Sequence, residues 1–354
     1  MPDDSGFAAD AAQRAIKRDR LAAVRRARPI VLTSHEAVSW YLDGIRTHVS
    51  LAGPPVLAVR VGHDGDTLFV AANEADRLIA EELCADDADR VVRVPWQTPP
   101  AGAALEASGA DALVESDLAP ALRAARASLL PLEIARYRTL GRETAEAMTD
   151  AAAGLGASST EREAAAALTA ALVRRGIDPL VTLVAGRDRL PHRHPLPTDG
   201  RLGDRAMLVV CGRRHGLIAN ATRWIGVADA DDARIVEVEA AFFAATRPGA
   251  RLDEAFAAGC AGYAASGFAA DEWRRHHQGG PTGYAGRDPR ATGAEKTDLV
   301  AAHHAFAWNP SAPGVKVEDT ILVTDAGIEV LTVDPRWPTV AAHGLARPTA
   351  RPFG

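Results

Sequence analysis

Two histidines one residue apart, His192 and His194, stand ahead of a Gly203-Asp204 turn, and a second pair, His276-His277, lies further along the chain. Imidazole titrates near neutrality, so it can take a proton from water and return it to a leaving nitrogen. If their segment is extended, His192 and His194 face one side. Glu318 falls within an apolar stretch that reads as a strand, where an isolated buried carboxylate is costly and must find a cationic or hydrogen-bonding partner. It is either an anchor for a substrate ammonium, guanidinium or water, or one half of a structural pair with Arg223 or Lys316. Cys211 is a nucleophile only if His215 or Arg213 stabilises its thiolate; the plainer reading is a small buried strand residue. The glycines after Gln278 let backbone approach a ligand closely, or simply turn the chain.

A chain of 354 residues is long for one average domain and long enough to bury its core without disulfides or metals. Its net charge of −6 is spread without a basic stripe, which argues against nucleic acid as a partner. Cys84, Cys211 and Cys260 are scattered and odd in number, the usage of a reduced compartment. The N-terminal stretch is acidic, without the apolar core of a signal peptide, and no run reaches a membrane span. The expectation is a soluble, cytoplasmic protein with no membrane or nucleic-acid partner.

These residues need elements to hold them. A charged helix over 11–28 precedes a short buried strand at 29–33, after which Ser34 is placed to cap a helix. Strands at 56–61 and 67–71 flank Asp64-Gly65, a hairpin signal because glycine supplies the positive φ of a tight turn. A helix at 73–84 and strands at 90–95 and 112–115 complete an α/β pattern. Pro131 marks a boundary, giving domains of 1–131 and 132–354. A helix follows to Gly154, and Thr160 with Glu163 forms a capping box opening another, to 176. Strands at 181–185, 206–211 and 217–225, helices at 235–246 and within 251–266, strands or loops at 276–287, 305–310 and 315–324, and a last strand at 328–332 complete an α+β chain. The Pro/Arg-rich tail at 346–354 reads as frayed.

In this order the signals resemble the pita-bread fold of the creatinase, prolidase and methionine aminopeptidase (M24) family. The resemblance rests on Thr160-Glu161 after a glycine, Gly203-Asp204, the hairpin from Gly216 to Arg223, His276 to Gly280, and Gly314 to Thr320 followed by Asp325-Ala326-Gly327. It implies a creatinase-type N-terminal α/β domain and a C-terminal pita-bread domain. The family's peptidases hold two divalent metals with two Asp, one His and two Glu. Matched residue by residue, those positions are Val209, Asn220, His277, Asn309 and Glu318, so only His277 and Glu318 keep a family ligand. A dinuclear site needs bridging carboxylates to offset the repulsion of two dications. No metal centre and no cofactor are expected.

Creatinase is similar in cleaving a C–N bond without metal, using a histidine ahead of the Gly-Asp turn. His192 suits that spacing, with His194 as its alternate. The resemblance further gives His277 and Glu318 catalytic roles, places Tyr284 where peptidases carry a second histidine, and leaves Asn220, Asn309 and Arg223 to orient a polar substrate. Arg46, in the stretch from Trp40 to His48, matches an arginine that reaches a partner's site in creatinase-type dimers and could fork a substrate carboxylate. The expectation is a homodimeric, metal-independent hydrolase of a small, carboxylate-bearing molecule. Two alternatives stand beside it: a non-catalytic binding module, or a metal-dependent aminopeptidase in which Asp199, Asp204 or Asp319 replaces the missing ligands.

Overall fold

The computed structural model describes residues 11–354; the N-terminal stretch read above lies outside them. The chain forms two compact units, the first ending at Arg126 and the second beginning at Ala127.

The first unit comprises α1 (Ala11–Arg25), β1 (Ile30–Leu32), α2 (His35–Tyr41), β2 (Leu57–Val61), β3 (Asp66–Ala71), α3 (Ala75–Glu81), α4 (Ala85–Ala88), β4 (Val91–Val94), α5 (Pro100–Ser108), β5 (Leu113–Val114) and α6 (Ala119–Ala127). Its sheet runs β4-β3-β2-β1-β5. The three central strands are antiparallel and each outer strand is parallel to its neighbour. Val31, Ala58, Phe69 and Val94 present one apolar face, which Ala104 of α5 covers. The expected Asp64-Gly65 turn is present, with Gly65 at φ +121°, and Ser34 Oγ accepts from the Ala37 amide at 3.1 Å, capping α2. The sequence reading passed over α5 and α6; α5 is alanine-rich and carries no strong apolar stripe.

The second unit contains α7 (Pro131–Ala153), α8 (Glu161–Val173), β6 (Asp178–Ala185), β7 (Arg205–Arg214), β8 (Leu217–Gly226), α9 (Asp232–Ala245) and α10 (Leu252–Ala265). After these come β9 (Gly279–Thr282), β10 (Ala305–Trp308), β11 (Ser311–Ala312), β12 (Val315–Lys316), β13 (Ile321–Thr324), β14 (Gly327–Val330), β15 (Thr339–Ala342) and β16 (Leu345–Pro348). Pro131 opens α7 at the position where its missing N–H is harmless. Thr160 and Glu163 form the expected reciprocal box at α8. The strands β6-β7-β8 form one antiparallel sheet, β14-β13-β10-β9 a second, and β11-β12 and β15-β16 two ribbons. The Tyr137 hydroxyl of α7 donates to Ile218 O of β8 at 2.5 Å. On the other side, α9 and α10 bury Phe242 against Trp308, ring centres 4.5 Å apart. Among the described residues no helix is long and apolar enough to cross a membrane.

The tail corrects the sequence reading. Instead of fraying, β16 pairs with β15, and Arg351 bridges to β8, its amide donating to Trp224 O at 2.9 Å. Arg347, 2% exposed, holds this end down through an ion pair to Glu239, Nε donating at 2.7 Å.

Candidate active site

The site is built on β8, on the residues after β12 and on the loop after β9, all in the second unit. His215-Gly216, both at positive φ, close the β7–β8 hairpin. The hairpin register sets Cys211 opposite Asn220 and Val209 opposite Thr222. Asn220 is fully buried; its amide Nδ2 donates to Thr282 Oγ1 at 3.2 Å. Glu318, 1% exposed, joins β8 through its carbonyl, which accepts from the Thr222 amide at 3.0 Å.

Two cations that the sequence reading did not place in the pocket organise it. The Arg287 guanidinium donates to Glu318 Oε1 at 2.6 Å and to Asn220 Oδ1 at 3.1 Å. Lys316 Nζ lies 3.0 Å from Glu318 Oε2, and the Thr222 hydroxyl donates to the same oxygen at 3.0 Å. Burial alone would raise the Glu318 carboxyl; Lys316 and Arg287 outweigh it and hold the group at about 2. The fixed cation bridging Asn220 and Glu318 is therefore a side chain. Lys316 had been weighed only as a structural partner, and Arg287 sits in a loop whose path no periodicity reveals.

Beside this network three imidazoles meet. The ligating atoms of His194, His276 and His277 all lie within 4.8 Å of one another. His276 Nε2 is 3.1 Å from His194 Nε2, and its Nδ1 is 3.0 Å from Ser311 Oγ. His277 lies against His194, centres 5.4 Å apart and nearly parallel, and its buried Nδ1 has no hydrogen-bond partner among the described residues. His194 is positioned by its neighbours: Arg193 pairs with Glu272, Pro195 O accepts from the Val184 amide at 3.2 Å, and Arg189 pairs with Glu161.

All three rings are held neutral. Burial, then Arg287, Arg290 and Lys316, brings His277 down to about 3. Burial and Lys316 depress His276 still further, and the same two causes lower the more exposed His194. Below pH 6.5 the unfolded chain binds protons on these residues and the folded rings do not, so stability falls as pH falls from 6.5 towards the folded values. The slope approaches about 1.4 kcal/mol per pH unit for buried His276 and is smaller for His277 and His194, which water screens. Thermal melts at stepped pH should show the midpoint dropping between pH 6.5 and 5, and dropping less in His277→Gln.

Several expectations change here. His192, expected as the base, is exposed in a turn after the short helical stretch Arg187–Arg189 and is not among the three clustered rings. The segment is turned and not extended, so the condition under which the two histidines would share a side is not met. Tyr284 donates to Glu133 Oε1 of α7 at 2.7 Å, tying its hydroxyl to that helix. Arg223 is committed to Asp319 at 2.8 Å and to Thr332 O at 2.6 Å, which makes it a structural cation. Asn309 is 2% exposed, with Oδ1 unpartnered among the described residues. Arg46, in the first unit, pairs with Glu82 and, at 3.4 Å, with Glu81. Burial, then Glu318, pushes the Cys211 thiol up to about 12, so it is no thiolate nucleophile.

A pair of divalent metals does not fit these residues. Val209 packs among Leu183, Met207 and Trp224, Asn220 and Asn309 carry no charge, and Glu318 is saturated by two cations and a hydroxyl. The acids that could replace the missing ligands are elsewhere: Asp199 pairs with Arg162, Asp204 with Arg187, and Asp319 with Arg223 and Arg347. The histidine trio has the number of donors for one metal, yet the positive charges of Lys316, Arg287 and Arg290, which act on these rings after burial, also oppose a dication.

Comparison with known proteins accords with this architecture. The model of metallopeptidase family M24 matches residues 135–325, more than half of the chain. The dipeptidase PepE from Mycobacterium ulcerans superposes with a TM-score of 0.72 at 20% identity, covering 96% of this chain and 99% of its own. The prolidase from Pyrococcus horikoshii gives 0.71 at 17%, covering 92% and 99%. The Xaa-Pro dipeptidase from Bacillus anthracis gives 0.70 at 16%, covering 91% and 98%. No curated protein matches in sequence. With its smaller N-terminal unit and pita-bread second unit, the chain belongs to metallopeptidase family M24.

Proposed function

We propose that this chain is a hydrolase that cleaves a C–N bond of a small carboxylate-bearing molecule by imidazole acid–base catalysis, without the metal pair that its family name implies. The observation that carries the reading is the Arg287 guanidinium bridging Asn220 and Glu318, two positions where the family's peptidases place metal ligands. Neutral His194 takes a proton from water as the water oxygen bonds to the substrate carbon; the same proton passes to the nitrogen as the C–N bond breaks. The positive field of Arg287 and Lys316 stabilises the oxyanion that develops between these steps. Arg290 is exposed and makes no ion pair among the described residues, and its charge reaches His194 and His277. It is free to hold the substrate carboxylate, the task first given to Arg46. A homodimer remains part of the proposal.

The test is a panel of small amides, amidines and guanidino acids offered to protein before and after chelation, with metal content measured in parallel. Turnover of at least one compound should survive chelation. Stoichiometric metal whose removal abolishes turnover would overturn the reading, and a panel that only binds, unconverted, would favour a binding module.

A further inference from the structure

The charged groups that act most strongly on the three imidazoles are Lys316, Arg287, Arg290, Arg193 and Glu318. Arg193 is matched by Glu272. Lys316 and Arg287 share the one carboxylate of Glu318, and Arg290 makes no ion pair among the described residues, so two positive charges stay unmatched. The other acids close to these residues are committed. Glu272 serves Arg275 as well as Arg193, Asp319 serves Arg223 and Arg347, and Glu133 accepts from the Tyr284 hydroxyl and the Leu130 amide. Asp288, beside Arg287 in the chain, is not free. Glu318 itself already faces two cations and the Thr222 hydroxyl.

We propose, resting on the hydrolase reading above, that the substrate is a cation-free amide of the N-acyl amino acid class, and that peptides with a free α-ammonium and guanidino acids are rejected. The substrate carboxylate and the oxyanion that develops on the acyl carbon bring two negative charges, the number the site leaves unmatched. An ammonium or a guanidinium, both protonated at neutral pH, would add another cation with no acid to face it. Rejection by like charge is a specificity device in its own right. In the hydrolysis the water oxygen ends on the acyl carbon as part of a carboxylate, and both water protons end on the released nitrogen, which becomes an ammonium. The field that admits the uncharged acyl group thus helps to expel this product.

N-acetyl and glycyl derivatives of one set of amino acids differ only by an ammonium on the acyl methyl, and they test the proposal on the full chain by kcat/KM and by titration calorimetry. At pH 6.5 the best acetyl compound should lead its glycyl counterpart by about tenfold or more, in binding and in kcat/KM. The lead should close as pH rises through the glycyl amine's pKa of about 8, where that charge is lost. Glycyl compounds or guanidino acids turned over as well as acetyl compounds would overturn the charge rule and leave the hydrolase reading standing. A lead that persists unchanged above the amine's pKa would overturn it too, since size and not charge would then discriminate. Charge-dependent binding of acetyl compounds with no turnover of any would support the charge rule and sink the hydrolase reading. Binding of neither series would overturn the proposal.

Discussion

His194→Ala should lower turnover by about 10²–10⁴-fold, the range for loss of a positioned general base, while His192→Ala should stay within about twofold of the parent. The contrast follows from placement. His194 meets His276 at 3.1 Å beside the Glu318–Arg287–Lys316 network, and His192, in the preceding turn, is not among the three clustered rings. The depressed imidazoles carry a further expectation: the acid limb of kcat/KM should lie below pH 6.5, because His194 remains an unprotonated base under conditions that would protonate a free histidine. Equal losses in both variants, or loss only in His192→Ala, would remove His194 from the reaction.

Glu318→Gln should be the most destabilising conservative change in the site. It leaves Lys316 and Arg287 facing a neutral group in a buried place, and breaking a buried pair in this way costs about 3–5 kcal/mol. Adding Lys316→Met to Glu318→Gln should recover part of that loss, because one stranded cation is removed with its desolvation cost. Denaturant unfolding of the two single variants and the double variant measures the coupling. A Glu318→Gln protein as stable as its parent would mean that water reaches and solvates these cations.

The order of elements was legible because local chemistry announced it: the capping box at Thr160, Pro131 at a helix start, and Asp64-Gly65 in a tight turn. The resemblance could also set Val209, Asn220 and Asn309 at positions where the family's peptidases carry carboxylates, because it matches motifs in their order along the chain. The surroundings of Glu318 could not be read in this way. Arg287 and Lys316 meet Glu318 across 31 and 2 residues of chain, and only the fold closes the longer gap. The choice of His194 over His192 depended on a turn at residues 190–194 that spacing alone reads as extended chain. The tail misled for a similar reason: Arg347 looks like one more surface charge until Glu239, 108 residues away, is seen to hold it.

The contact between His194 and His276 also fixes how hydrogens are distributed. Two neutral rings that face each other through Nε2 at 3.1 Å hold one proton between those nitrogens. If His276 carries it, its Nδ1 is bare and accepts from Ser311; if His194 carries it, His276 has its hydrogen on Nδ1 and donates to Ser311. The tautomer of one ring thus dictates that of the other and the direction of the serine hydroxyl.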